Sequence, residues 1–371
     1  MRKWKLSLLC GALVAGLLVW VVGCPGMEAG AHAATGGPVE HSKVIVAVGS
    51  KSMAANVVRV SLADPRVRVQ VGLAQDKVGA TEELLSIAKR KGAVAAINGT
   101  FFNAYDKGPT WDPVGALITS GSMVHKGGTG TVLGVDDCKR VRMEPARFKI
   151  VGGVNGSWSW PNNWYAHHMN RRPTGANSVV LYTPEWAGRV GGDGGTSVIV
   201  TQGVVTQITG EACDVPGDGF VVYMRGSETS LLSRFKQGGA ARWRVIDASG
   251  AELDRFWAGV VEGLGAGPLL VTEGRVAYSE EAAVAEGFTD PKILTQSMAR
   301  SAVGFTQSGD LLFVTVGSAR LAELAQIMVA LGAQDAMNLD GGASSGLVFN
   351  GSYVTKPGRK VSNGLLVVVG G

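Results

Sequence analysis

Thr81-Glu82-Glu83-Leu84-Leu85-Ser86-Ile87-Ala88-Lys89-Arg90-Lys91-Gly92 reads as a helix, with a capping threonine, acids in the first turn, bases in the last and glycine just past the end. Each feature suits the unpaired backbone groups or the dipole of a helix terminus. A second stretch of this kind runs from Ser318 through Leu331 and stops at Gly332. Shifted by 240 positions, Glu83, Leu84, Ile87, Gly92, Ala93, Ala96 and Asn98 coincide with Glu323, Leu324, Ile327, Gly332, Ala333, Ala336 and Asn338. Both helices feed a short apolar strand ending in asparagine and then a glycine turn, Ala96-Ile97-Asn98-Gly99 and Ala336-Met337-Asn338-Leu339-Asp340-Gly341-Gly342.

Outward from these units the chain reads as strands. Apolar residues alternate over Val44–Val48, Val57–Leu62 and Val67–Leu73, with turn-formers such as Asp64-Pro65 between them. Hairpins turning at glycine are expected over 115–124, 198–205, 268–276 and 346–354, because glycine supplies the positive φ of a tight turn. The expected fold is α+β, a sheet-rich single domain of largely antiparallel or mixed strands around two main helices. The two asparagine-bearing strand ends either meet about an internal pseudo-twofold axis or are two ordinary helix–glycine–strand connections.

Composition excludes several classes. The 371 residues are 46% apolar and 18% charged, and 54 are glycine, about twice the average share of roughly 7%. Disorder, collagen and coiled coil each need a different balance or period. Without residues 1–33 the chain holds 32 basic and 29 acidic groups and no cationic run, so no nucleic-acid partner is expected.

The N-terminus reads as an export address: positive Met1 to Lys5, an uncharged apolar stretch from Leu6 to Gly23, then small residues. Ala31-His32-Ala33 suits signal peptidase, Val21-Val22-Gly23-Cys24 resembles a lipobox that would tether the protein through Cys24, and the apolar stretch is long enough to remain as a membrane anchor. All three place the body, 43–371 after a linker over 34–42, outside the cytoplasm, secreted or attached to the envelope. Cys138 and Cys213 are either a disulfide or two thiols.

Asn338 to Gly346 holds the most chemistry. Successive small residues can aim backbone N–H groups at an oxyanion, Ser344 and Ser345 add hydroxyls, and Asp340 is a base, a nucleophile or a turn cap. Around Asn98, the residues Gly99, Phe102 and Asn103 offer amides and an aromatic face to a sugar. Trp158, Trp160, Trp164 and Tyr165 form a sugar-stacking lid or a hydrophobic plug. Arg172 and Arg300 each precede a strand, where a guanidinium fork can clamp phosphate or make a surface ion pair. No Walker loop or H-E-x-x-H occurs, His167-His168 is a poor metal pair, and Gly265-Ala266-Gly267-Pro268 precedes a strand where a dinucleotide loop would open a helix.

In their order, Ile97 to Phe102, Pro113 and Gly115, Arg172, Leu181 to Thr183, Gly265 to Pro268, Arg300 to Gly304 and Asn338 to Ser345 resemble the phosphodiester glycosidase family from about Val44 to Gly371. The family's three glycines after the aspartate are Gly341-Gly342-Ala343 here. The resemblance implies hydrolysis between a sugar's anomeric carbon and a phosphodiester, on a phosphorylated carbohydrate; the residues assign no cofactor and no His-based metal site. It makes Asp340 the catalytic carboxylate, puts Arg172 and Arg300 on the phosphate, Asn98 and Asn338 on the sugar, and the backbone of Gly341, Gly342, Ser344 and Ser345 around the anion. Asp106, Asp112 or Glu262 is left as a second carboxylate. Two rival readings are a non-catalytic module binding phosphorylated glycans and another hydrolase or transferase of cell-wall phosphodiesters.

Overall fold

Strands dominate the architecture, a computed structural model that describes residues 37–370. The export address, its processing sites, Cys10 and Cys24 lie outside the described residues. A central body comes from the two ends of this stretch. The first supplies β1 (Val39–Val48), β2 (Lys51–Ser61), β3 (Val67–Leu73), β4 (Ala95–Asn98), β5 (Leu117–Thr119), β6 (Ser122–His125), β7 (Thr131–Asp136) and β8 (Val141–Glu144). The second supplies β9 (Val260–Ala266), β10 (Leu269–Thr272), β11 (Arg275–Val276), β12 (Met298–Thr306), β13 (Asp310–Ala319), β14 (Ala333–Asn338), β15 (Leu347–Phe349), β16 (Ser352–Thr355) and β17 (Asn363–Val369). They form three sheets, in the orders β1-β2-β13-β12-β14-β10-β11, β16-β15-β4-β17-β3 and β6-β5-β9-β7-β8. Residues 148–247 between them build two further sheets, three- and five-stranded. β1 starts at Val39, inside the stretch read as linker.

The predicted helices are α1 (Leu84–Arg90) and α2 (Leu321–Ala330). Thr81 does not cap α1: Glu83 holds the N-cap position without a side-chain bond, and no acid lies in the first turn. Glu82 instead accepts from the Gln75 amide and from Arg90, fastening the approach to the helix. In α2, Glu323 reaches back to the Arg320 amide at 2.8 Å. Gly92 and Gly332 end the helices at φ +65° and +87°, where a side chain would be strained.

Each helix packs on the sheet it feeds. Ala96 meets Leu84 and Ile87 of α1, and Ala336 meets Leu324 and Ile327 of α2. Because side chains alternate along a strand, Ile97 and Met337 point the other way, into a common core with Leu117, Leu133, Leu264 and Phe313 from all three sheets. Each such full burial contributes about 1.5–3 kcal/mol. Thus β4 and β14 are central strands with their ends fixed from both sides.

Their surroundings correspond. β4 follows β3 through α1 and lies between β15 and β17, whereas β14 follows β13 through α2 and lies between β10 and β12. Ile97 faces Leu347 and Leu365, and Asn98 faces Gly364; Met337 faces Leu269 and Val303, and Asn338 faces Ala302. The hairpins are not placed alike. β15–β16, which follows β14, crosses to flank β4, while β5–β6, which follows β4, pairs with β9.

All four expected hairpins form with two-residue turns: Ser120-Gly121, Gln202-Gly203, Glu273-Gly274 and Asn350-Gly351 each have positive φ at both positions. That twist matches the flanking strands. Cys213 is a free thiol, so the Cys138–Cys213 bridge does not form. Among the described residues no helix is long and apolar enough to cross a membrane.

Candidate active site

The ends of β4 and β14 meet, and Asn98 holds them together. Its Nδ2 donates to the Asp340 carbonyl at 2.6 Å, while its Oδ1 accepts from Ser301 Oγ at 2.7 Å and the Gly346 amide at 3.0 Å. The Asp340 amide donates to the Gly99 carbonyl at 3.1 Å, and Leu339 to Ser301 at 2.8 Å. Asn98 has no exposed surface, so it is a positioning residue and does not present its amide to a sugar as expected. Asn338, equally buried, donates to the Gly267 carbonyl at 2.8 Å and leaves its Oδ1 without a partner. A side chain at Gly99 would strike Asn363 Oδ1, which accepts from the Thr100 amide at 3.0 Å.

Asp340 is set at this junction and remains partly accessible. Burial disfavours its charged form and pushes its carboxyl up to about 6, against the opposing pull of the Ser344 hydroxyl, the Arg359 charge and the Gly341 amide. A carboxylate so poised ionises near neutrality and still keeps appreciable basicity. The following turn is tight, with Gly342 at φ +58°. Its amides are less available to an anion than expected: those of Ser344 and Ser345 donate to the Gly341 and Gly342 carbonyls, and that of Gly346 to Asn98. Ser345 Oγ pairs with Ser301 Oγ at 2.8 Å.

Arg300 corrects a second expectation. It is 1% exposed, and its Nε and Nη2 donate to the carbonyls of Ala319, Ile293 and Gln296 at 3.0, 2.9 and 2.7 Å. Burial lowers it to about 10. It braces the loop before β12, and its Nε and Nη2 hydrogens are engaged before any phosphate arrives. Arg300→Met is expected to destabilise the fold by about 2–4 kcal/mol, since three carbonyls lose a charged donor. Denaturant unfolding measures this, and substrate affinity of the folded variant should change little. A phosphate clamp would show the reverse.

The rim comes from the loop after Gly99. Phe102 is half-buried and bridged to Pro113, and Asn103 is exposed with its amide on the Asp112 carbonyl at 3.1 Å. Arg172 ties this loop down, donating to Asp106 and, at 3.2 Å, to Asp112. The pairing with Arg172 holds Asp106 below the usual carboxylate range, while burial pushes Asp112 up. Glu262 is also raised by burial, but its oxygens accept from the Val71 and Ser120 amides at 2.7 and 3.0 Å, a structural tie between sheets. Tyr105 is 86% exposed; its hydroxyl accepts from Arg359 at 2.8 Å and its ring lies 4.7 Å below that guanidinium.

Arg359 is the charged residue that the sequence reading missed. It follows Pro357-Gly358 in ordinary turn composition, and the signal that marked it was a basic pair, Arg359-Lys360, just after the β15–β16 hairpin that flanks β4. The tryptophan loop belongs to residues 148–247 and divides by role: Trp164 is core against Phe220 and Phe235, whereas Trp160 is 80% exposed. Among the described residues, Asp136, Asp137 and Cys138 are close enough to share an ion, but Asp136 already accepts from the amide and Nε of Arg140.

A family model described as phosphodiester glycosidase matches residues 194–368, which include Arg300, Asn338, Asp340 and Arg359 and exclude the rim residues before them. No curated protein matches the chain by sequence. Its fold is similar to a hypothetical protein from Synechocystis, with a TM-score of 0.77, 22% identity and 90% of this chain covered; the chain spans 62% of that protein's length. It is also similar to a candidate exported protein from Burkholderia pseudomallei, with a TM-score of 0.69, 22% identity and coverage of 85% of this chain and 74% of the other. The zebrafish N-acetylglucosamine-1-phosphodiester alpha-N-acetylglucosaminidase catalytic domain, auto-inhibited by its pro-peptide, aligns at a TM-score of 0.48 and 15% identity over 90% of this chain and 85% of that one.

Proposed function

Residues 194–368 belong to the phosphodiester glycosidase family, and on that premise we propose that the body of this chain, from about residue 43 onward, hydrolyses the bond between a sugar's anomeric carbon and the phosphate of a sugar-1-phosphodiester outside the cytoplasm. The observation that carries the reading is Asp340, a partly accessible carboxylate raised to about 6 at the junction of two fixed strand ends, with the Arg359 charge acting on it. Asp340 serves as base or nucleophile at the anomeric carbon. A phosphomonoester is a good leaving group, so guanidinium stabilisation of the departing charge reduces the demand for a general acid.

In this proposal Arg359 takes the phosphate role expected of Arg300, and Arg172 holds Asp106 and Asp112 at the rim. Asn98, Asn338, Gly99 and Ser345 shape the pocket from behind, and Phe102, Asn103 and Tyr105 face the sugar. The matching strand registers around β4 and β14 support an internal duplication, whose two asparagines form the floor of one site.

Arg359→Gln is expected to raise KM for a sugar-1-phosphodiester by about tenfold, the worth of one charge-assisted bond, with unfolding stability nearly unchanged. Steady-state kinetics on a panel of such diesters measures it, through release of reducing sugar. An unchanged KM would remove Arg359 from the phosphate. Binding without release of sugar would make the site a glycan-binding module.

A further inference from the structure

We propose that Lys126, Arg171 and His168, gathered around the buried imidazole of His125, form a second subsite that binds a phosphomonoester group. The inference is independent of Asp340 chemistry. Its geometry is set by Asn170, which is fully buried at φ +46° and donates to the Val124 carbonyl at 2.8 Å and to Thr183 Oγ1 at 2.6 Å. These bonds lay residues 168–172 against 124–126, and Tyr182 fixes the Arg171 carbonyl at 2.8 Å.

The two cations gathered there, Lys126 and Arg171, are not neutralised, and His168 beside them is held neutral by burial. Among the described residues Arg172 is paired with Asp106 and Asp112, but Lys126, Arg171 and His168 make no ion pair. Lys126 has a single long bond, 3.5 Å to the Phe148 carbonyl, and His168 Nε2 meets Thr174 Oγ1 at 3.0 Å. Asp112, the acid that acts on Arg171, is already engaged by Arg172 and Thr110. Burial and the Arg171 charge lower both Lys126 and His168, the latter to about 4. An anion between Lys126 and Arg171 would relieve their repulsion.

Two orphan atoms specify the ligand. Arg171 Nε is a buried donor with no acceptor, and His125 Nε2, in a residue 1% exposed, is buried with no partner. His125 Nδ1 lies 2.8 Å from the Gly115 carbonyl, which can only accept, so Nδ1 carries the hydrogen and Nε2 presents a lone pair. The Gly127 amide points at the same Nδ1 from 3.2 Å and could donate to it only in the other tautomer, which would set two acceptors against each other at 2.8 Å. One ligand that satisfies both orphans must accept from arginine and donate to imidazole. A phosphomonoester carrying P–O⁻ and P–OH does so; sulfate has no hydroxyl to donate. The rings of Tyr165 and His167, 5.2 Å apart, and of His167 and His168, 6.3 Å apart, continue from the subsite as a surface for attached sugars.

Calorimetric titration of the full chain with inorganic phosphate and with sulfate tests this. Phosphate is expected to bind at least about tenfold more tightly than sulfate, and Arg171→Gln and Lys126→Gln each to weaken it by about tenfold, while Arg359→Gln removes only binding at the Asp340 site and leaves the Arg171-dependent binding unchanged. Phosphate should also shift the His125 Nε2 nitrogen resonance in the unmodified protein, a readout that needs no variant. Absence of phosphate binding, equal affinity for sulfate, or binding lost in Arg359→Gln and retained in Arg171→Gln would each overturn the proposal. None of these results depends on turnover, so the Asp340 reading stands or falls separately.

Discussion

Asp340→Asn is expected to lower kcat for a sugar-1-phosphodiester by on the order of 10³-fold or more, the scale of losing a reacting carboxylate, with a smaller change in KM. The unmodified protein should lose activity as the pH falls through about 6, where Asp340 takes up its proton, and reach a plateau above it. Stability should run the opposite way. An aspartate that titrates near 3.9 when unfolded and near 6 when folded favours the folded state below about pH 4. That contribution is lost as the pH rises through 6, because the buried charge is disfavoured. The amide introduced by Asp340→Asn is neutral throughout and escapes the loss, so the variant should match the parent at pH 4 and be at least as stable at pH 7. Denaturant unfolding at the two pH values, beside kinetics, separates a chemical role from a structural one. A variant that is inactive because it unfolds at pH 7 would contradict the assignment.

Asn98→Ala should cost about 3–5 kcal/mol, because the Asp340 carbonyl, Ser301 Oγ and the Gly346 amide all lose a buried partner. Chemical or thermal unfolding reads this directly. Activity should fall as well, since Asp340 is held through its own main chain. The turnover that remains should show KM less affected than kcat, as expected for a residue acting through another. A stable Asn98→Ala protein with a large rise in KM alone would restore the role of sugar contact.

The helices and the strands that follow them were legible because their signals are local. Glycines 92 and 332 stop α1 and α2, and the apolar spacing of Leu84, Ile87, Leu324 and Ile327 marks the buried faces. Thr81 misled because the start of α1 is decided by Glu82 reaching Gln75 and Arg90, contacts that a capping pattern does not encode. Asp340 stood out by its run of small neighbours, and the meeting of its segment with Asn98 was one of two alternatives the paired strand ends left open. The division of labour among arginines was not. Arg300 lies at a strand end where a clamp would sit, yet the carbonyls that engage it come from residues 293, 296 and 319, placed by loops of no distinctive pattern. Arg359 looked like turn composition because its partner Tyr105 is 254 positions away.

The most direct test of the central claim is hydrolysis of a defined sugar-1-phosphodiester in ¹⁸O-labelled water, with both products analysed by mass. Attack at the anomeric carbon predicts free reducing sugar bearing the label and an unlabelled phosphomonoester of the other alcohol. Label in the phosphate, or sugar-1-phosphate as the product, would contradict it.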